Sequence, residues 1–167
     1  MRKHIGILLV FTFMVLLPLT AQAKSNSSNL NKERLEVGRL LLEVTAEQVL
    51  DILPYYTYDI EYHDPIVDIY GIEDMSTFLF QLFGSTPNLV TLVEDEIAID
   101  DMYTATWTMY GTFAGVPYEV NGMSIIKFRP KTTDVYYQYD YYSESDIMAN
   151  IPGLDQAVTG FRTFYRC

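Results

Sequence analysis

Tyr103-Thr104-Ala105-Thr106-Trp107-Thr108-Met109-Tyr110-Gly111-Thr112-Phe113 is the cleanest two-residue alternation in the chain. Tyr103, Ala105, Trp107, Met109, Gly111 and Phe113 take one side, and four threonines with Tyr110 take the other. That pattern belongs to a strand with one face on a core. Ala114-Gly115 supplies a turn, so the chain returns as a second strand from Val116 to Phe128. Pro130-Lys131-Thr132-Thr133 turns it again, and Val135 to Tyr142 reads as a further strand with Val135, Tyr137, Tyr139 and Tyr141 on one side. Upstream, Leu89 to Ile99 holds two β-prone patches on either side of Glu94-Asp95-Glu96.

Earlier still the period changes. Ile72, Met75, Leu79, Leu82 and Phe83 recur at helical spacing, with Glu73 or Asp74 as cap and Gly84 at the close. Tyr55 to His63 alternates, placing Tyr56, Tyr58, Ile60 and Tyr62 on one face and Thr57, Asp59, Glu61 and His63 on the other. From Asn31 the pattern is helical through Leu35, Leu41 and Leu42, then Val49, Leu50 and Leu53, ended by Pro54. Thr45 with Gln48 reads as a capping box, giving two helices with a break near Val44. Helices followed by a meander of long strands form the α+β pattern.

The first residues read as an address. A basic start, Met1-Arg2-Lys3-His4, precedes an apolar run from Ile5 to Leu19, and Ala21-Gln22-Ala23 has the small-x-small cleavage form. The run is short of the ~20 residues that cross a bilayer. We therefore expect a signal peptide over 1–23 with cleavage after Ala23, a flexible leader over 24–33, a domain over 34–150 and a tail over 151–167. Localisation would be secreted or periplasmic, with no membrane attachment after cleavage. The chain of 167 residues carries 22 acidic and 11 basic side chains, a net charge of −11, and loss of the signal peptide with Arg2 and Lys3 deepens this to −13. Nucleic acid and anionic membrane surfaces need a basic face and are excluded as partners. A single cysteine, Cys167, closes no internal disulfide.

The ordered set Tyr62-His63-Asp64-Pro65, Tyr70-Gly71-Ile72-Glu73-Asp74 before Phe78-Leu79, Trp107 in a long strand, Gly111-Thr112-Phe113-Ala114-Gly115, Gly122-Met123-Ser124 and Asp140-Tyr141-Tyr142 resembles the SnoaL-like polyketide cyclases. These belong to the nuclear-transport-factor-2-like superfamily, with ketosteroid isomerases and limonene epoxide hydrolases. The resemblance covers roughly residues 38 to 150. It implies a cone: a curved antiparallel sheet wrapped around N-terminal helices, with a central pocket. It also implies a homodimer packed through the outer sheet face.

Asp64 is the leading candidate for chemistry. Strand parity puts it on the face of Tyr56, Tyr58, Ile60 and Tyr62, and a carboxylate at an aromatic pocket mouth loses hydration and gains basicity. The alternative is an Asp-Pro turn whose carboxylate is solvated or bonded to nearby backbone amides. The resemblance matches Asp64-Pro65 to the ketosteroid isomerase general base. It also places the two oxyanion donors of those isomerases near Leu40 and Ser124, neither of which reproduces them. In the polyketide cyclases the acid-base aspartate lies around the last strand and the turn beyond it, where the nearest acids here are Asp140, Glu144 and Asp146. Asp140 is near that place, on a parity shared with Asp134 and Gln138 that suits a solvated face at least as well as a pocket.

His63 falls opposite Asp64, and the other histidine, His4, leaves with the signal, so no histidine-based metal site is expected. Glu94-Asp95-Glu96 reads as a solvated turn rather than a calcium loop. Ser124 has no histidine for a triad. Two functional readings follow. The first is an exported domain that binds a small hydrophobic or carbonyl-containing ligand among Tyr58, Tyr62, Trp107, Met109 and Ser124. It moves a proton with Asp64 and needs no cofactor, as in an isomerase or cyclase. The second is a non-catalytic carrier or dimeric interaction module with a degenerate pocket.

Overall fold

The computed structural model describes residues 19–113, 115–149 and 153–156. Helix α1, Leu19–Leu42, buries Arg34, Val37, Leu41 and Leu42, the i, i+3, i+7, i+8 spacing of one helical stripe. It begins well before the expected start at Asn31, so residues 24–33, read as a flexible leader, are helical. The Gln48 side chain accepts the Thr45 backbone N–H at 3.1 Å, and helical turns containing α2, Val49–Ile52, lead into the sheet. Strand β1 is Tyr56–His63, and a short strand β2, Asp68–Tyr70, folds back on it. Helix α3, Ile72–Ser85, buries Met75, Leu79 and Phe83. Strands β3, Val90–Ile99, β4, Met102–Phe113, β5, Val116–Phe128, and β6, Val135–Tyr142, form the meander, and a short α4, Glu144–Met148, follows.

The strands make one six-stranded sheet in the order β2-β1-β6-β5-β4-β3. It is curved and unclosed, and the helices cover its concave face, giving the expected α+β cone. One detail differs: β1 pairs β6 in parallel, while every other pair is antiparallel. The parallel pair arises because α3 carries the chain from β2 across to the far edge, and the meander then returns to β1.

Two close approaches hold the cone. A Cβ on Gly38 would overlap the Tyr103 ring, and one on Gly122 would overlap the Trp107 ring, so each glycine admits an aromatic of β4 against backbone. Arg34, 3% exposed, lies over the Phe128 ring and donates to the backbone carbonyls of Asp100, Arg129 and Thr132, pinning α1 to the β3–β4 and β5–β6 turns.

Glu94-Asp95-Glu96 is not a turn. It sits inside β3 at a bulge between Val93 and Asp95. Glu94 accepts the Thr108 hydroxyl, and Glu96 takes Arg39 and the Tyr103 hydroxyl. Among the described residues no three His, Cys, Asp or Glu are grouped to hold a metal, and no helix is long and apolar enough to cross a membrane. The apolar run before Leu19, Cys167 and most of the tail lie outside the described residues.

Candidate functional site

The helices and the concave sheet enclose a cavity of about 110 Å³. One water needs roughly a tenth of that, so the space suits a small organic molecule. Its wall is mostly apolar: Leu41 and Leu42 from α1, Phe78 and Leu82 from α3, Trp107 and Met109 from β4. Apart from Thr91 of β3, the polar exceptions converge from β1 and β6: Tyr56, Tyr62, Gln138, Asp140 and Tyr142, with Asp64 just past β1. No lysine, arginine or histidine lines it.

Asp140 is the hub. Its Oδ1 accepts the Ser124 hydroxyl at 2.6 Å and the Gln138 amide at 3.1 Å. Its Oδ2 accepts Gln138 at 3.2 Å and lies 3.0 Å from the Tyr62 hydroxyl. Behind these partners stand two more. Trp107 Nε1 donates to Ser124 Oγ at 2.8 Å, and the Tyr56 hydroxyl donates to Gln138 Oε1 at 3.0 Å. The Tyr62 hydroxyl also lies 3.1 Å from Asp64 Oδ2, and Tyr142 bonds the same carboxylate. Asp64 Oδ1 accepts the backbone N–H of Ile66 and Val67, each at 2.7 Å, which fixes the carboxylate in place.

A phenol has one proton, so Tyr62 cannot satisfy two carboxylate anions at once. Burial pushes the Asp140 carboxyl up to about 6, with the nearby Asp64 charge adding to the rise and the Ser124, Gln138 and Tyr62 donors opposing it. Burial, and then the Asp140 and Asp64 charges, hold the Tyr62 hydroxyl well above its ordinary value, so it stays a neutral donor. Burial and the Asp64 charge raise Tyr142 in the same way. The arrangement is two carboxyls bridged by one hydroxyl at the wall of an apolar cavity.

The family model for the SnoaL-like domain matches residues 37–133, which carry the end of the first helix, most of the cavity wall and all but the last strand. The chain belongs to the SnoaL-like domain family. No curated protein matches it in sequence. Solved structures share the SnoaL-like fold at low identity. A phenazine biosynthesis-related protein from Pseudomonas aeruginosa aligns with TM-score 0.67 and 9% identity over 76% of this chain and 90% of its own. A protein with a ketosteroid isomerase-like fold from Catenulispora acidiphila DSM 44928, in complex with trimethylamine, aligns with TM-score 0.62 and 18% identity over 72% and 92%. An LEH-like epoxide hydrolase from M. tuberculosis gives TM-score 0.62 and 12% identity over 80% and 97%.

Within this SnoaL-like domain, the residues singled out in the sequence divide clearly. Tyr62, Asp64, Trp107, Met109 and Asp140 line the cavity, and Ser124, fully buried, supports Asp140 from behind. Asp64 combines both of its readings, since it is bonded to turn amides and faces the cavity. Tyr58 does not belong to the site. It is 80% exposed, because the β1–β6 register slips between Tyr56 and Glu61 and breaks the alternation that would have turned it inward.

Asp140 is not on a solvated face. Tyr137, Tyr139 and Tyr141 take the outer side of β6, where Tyr139 and Tyr141 stack at 4.1 Å, and Gln138, Asp140 and Tyr142 point inward. His63 is likewise outside, packed among Tyr70, Tyr137 and Tyr139 and 2.5 Å from Asp68, rather than free in solvent. Leu40 lies off the cavity, so α1 supplies only Leu41 and Leu42 there and no donor. Gln138, Tyr56 and Tyr142 were missed in the sequence. The available signal was the pairing of Gln138 and Asp140 on one parity of a strand whose other parity is nearly all tyrosine.

Proposed function

We propose that this SnoaL-like domain binds a small, largely apolar, carbonyl-containing molecule and moves a proton on it without a cofactor, in the manner of an isomerase or cyclase. The observation that carries this reading is the Tyr62 hydroxyl, 3.0 and 3.1 Å from two carboxyls at the wall of a mostly apolar cavity. A carboxyl titrating near 6 is well matched to proton transfer near neutrality. Asp140 would give or take the proton, with Asp64 as its second resting place across Tyr62. A cavity with no basic lining disfavours anionic ligands.

Export after Ala23 belongs to the same proposal. It is supported by the signal pattern, and cleavage there leaves Arg34, Val37, Leu41 and Leu42, the buried anchors of α1, in the mature chain. The test is a thermal-shift screen of small cyclic ketones and enones, followed by deuterium exchange at the carbon next to the carbonyl, read by NMR in D2O. Exchange should be catalysed and should fall by about 10²–10⁴ in both Asp140→Asn and Asp64→Asn. Exchange unchanged by either substitution would end the catalytic reading.

The lack of any donor from α1 in the cavity favours a second reading, a carrier with no chemistry. Ketone binding with no exchange in the unaltered protein would select it.

A further inference from the structure

Ser124 and Gln138 touch Asp140 directly, but each has its freedom removed by a residue behind it. Tryptophan N–H is a donor only. Ser124 Oγ therefore accepts from Trp107 at 2.8 Å, and the serine's own proton goes to Asp140 Oδ1 at 2.6 Å. Likewise the Tyr56 hydroxyl, donating to Gln138 Oε1 at 3.0 Å, sets which end of that amide is oxygen and turns its NH₂ toward Asp140. Asp140 Oδ1 then receives two donors, Ser124 at 2.6 Å and Gln138 at 3.1 Å, while Oδ2 takes only the longer arm of the same amide, at 3.2 Å, and is the oxygen left to carry a proton. Oδ2 is the oxygen that faces Tyr62 at 3.0 Å.

We propose that Trp107 and Tyr56 are positioning residues which, acting through Ser124 and Gln138, fix the proton of Asp140 on Oδ2, facing Tyr62 and Asp64. This rests on the reading of Asp140 as the proton-carrying group. The relay it creates is balanced. As the Asp140 Oδ2–H bond breaks, Tyr62 gains that proton on its oxygen and gives its own to Asp64 Oδ2, 3.1 Å away. The reverse restores the start. The titratable groups facing Asp140 are Tyr56 and Tyr62 of β1, Asp64 after it and Tyr142 of β6; the lining residues of α1, α3 and β4 are uncharged.

The experiment reads protonation of Asp140 without a ligand, so its outcome is separate from whether any ketone binds. The protein is labelled with ¹³C at aspartate side-chain carboxyls and titrated by NMR. The Asp140 signal is assigned by its loss in Asp140→Asn. Ser124→Ala removes a donor to the anion and should raise the Asp140 midpoint by about one to two pH units. Trp107→Phe leaves the serine but frees its hydroxyl to turn away, so it should move the midpoint in the same direction by less. The double variant should match Ser124→Ala alone, because the tryptophan acts only through the serine. Tyr56→Phe, which loses one oxygen and little packing, repeats the test on the Gln138 branch and should add to Ser124→Ala.

An unmoved midpoint in Trp107→Phe and Tyr56→Phe would overturn the proposal. So would a Trp107→Phe effect that adds in full to Ser124→Ala, since both residues would then be merely structural.

Discussion

Replacing Asp140 by asparagine should stabilise the protein at neutral pH and weaken that advantage in acid. The carboxyl titrates near 6 in the folded chain against an ordinary 3.8, so the native state holds the proton more tightly than the unfolded one. A group raised in this way contributes stability that is present in full below about pH 4 and is lost as pH climbs through 6. The gap of about two pH units, at about 1.4 kcal/mol each, sets a ceiling of about 3 kcal/mol on the cost of ionised Asp140 at pH 7.5.

Asparagine is the neutral shape of the same group. Its oxygen can accept Ser124 and Gln138, and its NH₂ can donate to Tyr62, as the protonated acid would. Gln138, 3.1 and 3.2 Å from the two oxygens, loses one of two acceptors, which leaves a net gain of about 1–2 kcal/mol. Thermal melts of the two proteins from pH 4 to 7.5 should show the variant about 3–8 °C higher at pH 7.5 and level with, or below, the unaltered protein at pH 4. A variant that melts lower at pH 7.5, or a difference that does not change with pH, would refute the reasoning.

Further outcomes follow from other parts of the structure. Arg34→Met keeps the stem over Phe128 but removes the donors to three backbone carbonyls of two turns, of which that of Arg129 keeps Thr132, and should cost about 2–4 kcal/mol in urea unfolding. Gly122→Ala forces the Trp107 ring aside and should cost about 1–3 kcal/mol, visible as a change in tryptophan fluorescence as well as a lower melting point. Tyr58→Ala, at an exposed site off the cavity, should stay within about 0.5 kcal/mol in stability and leave ketone affinity unchanged.

The fold was largely legible because its strands announce themselves by alternation and its helices by an apolar stripe. Where alternation failed, a bulge or the site intervened. Tyr58 was misplaced by the register slip in β1, which no single-strand pattern reveals. Asp68–Tyr70 is too short to carry a period at all. The start of α1 was read at Asn31, just ahead of its first leucines at helical spacing, whereas the helix extends back to Leu19 and leaves Ser27, Ser28 and Asn29 exposed.

The site was half legible. Asp64 stands out because Asp-Pro ends an aromatic strand. Asp140 was harder, because the usual rule sends polar residues outward and β6 does the reverse. Its tyrosines 137, 139 and 141 cover the outer face, while Gln138 and Asp140 are held inside by partners on β1, β4 and β5. Satisfaction of a buried acid by Ser124, Gln138 and Tyr62 depends on strands distant in sequence being neighbours, and that is a property of the folded sheet.

The most direct test of the account is the ionisation of Asp140 itself in the unaltered protein, followed by carboxyl ¹³C NMR. The expected midpoint is near 6, with Asp64 and Tyr62 resonances responding in the same pH range. A midpoint at or below the ordinary 3.8 would mean that the inward-facing carboxyl is a settled anion, and the proton-transfer site would lose its acid.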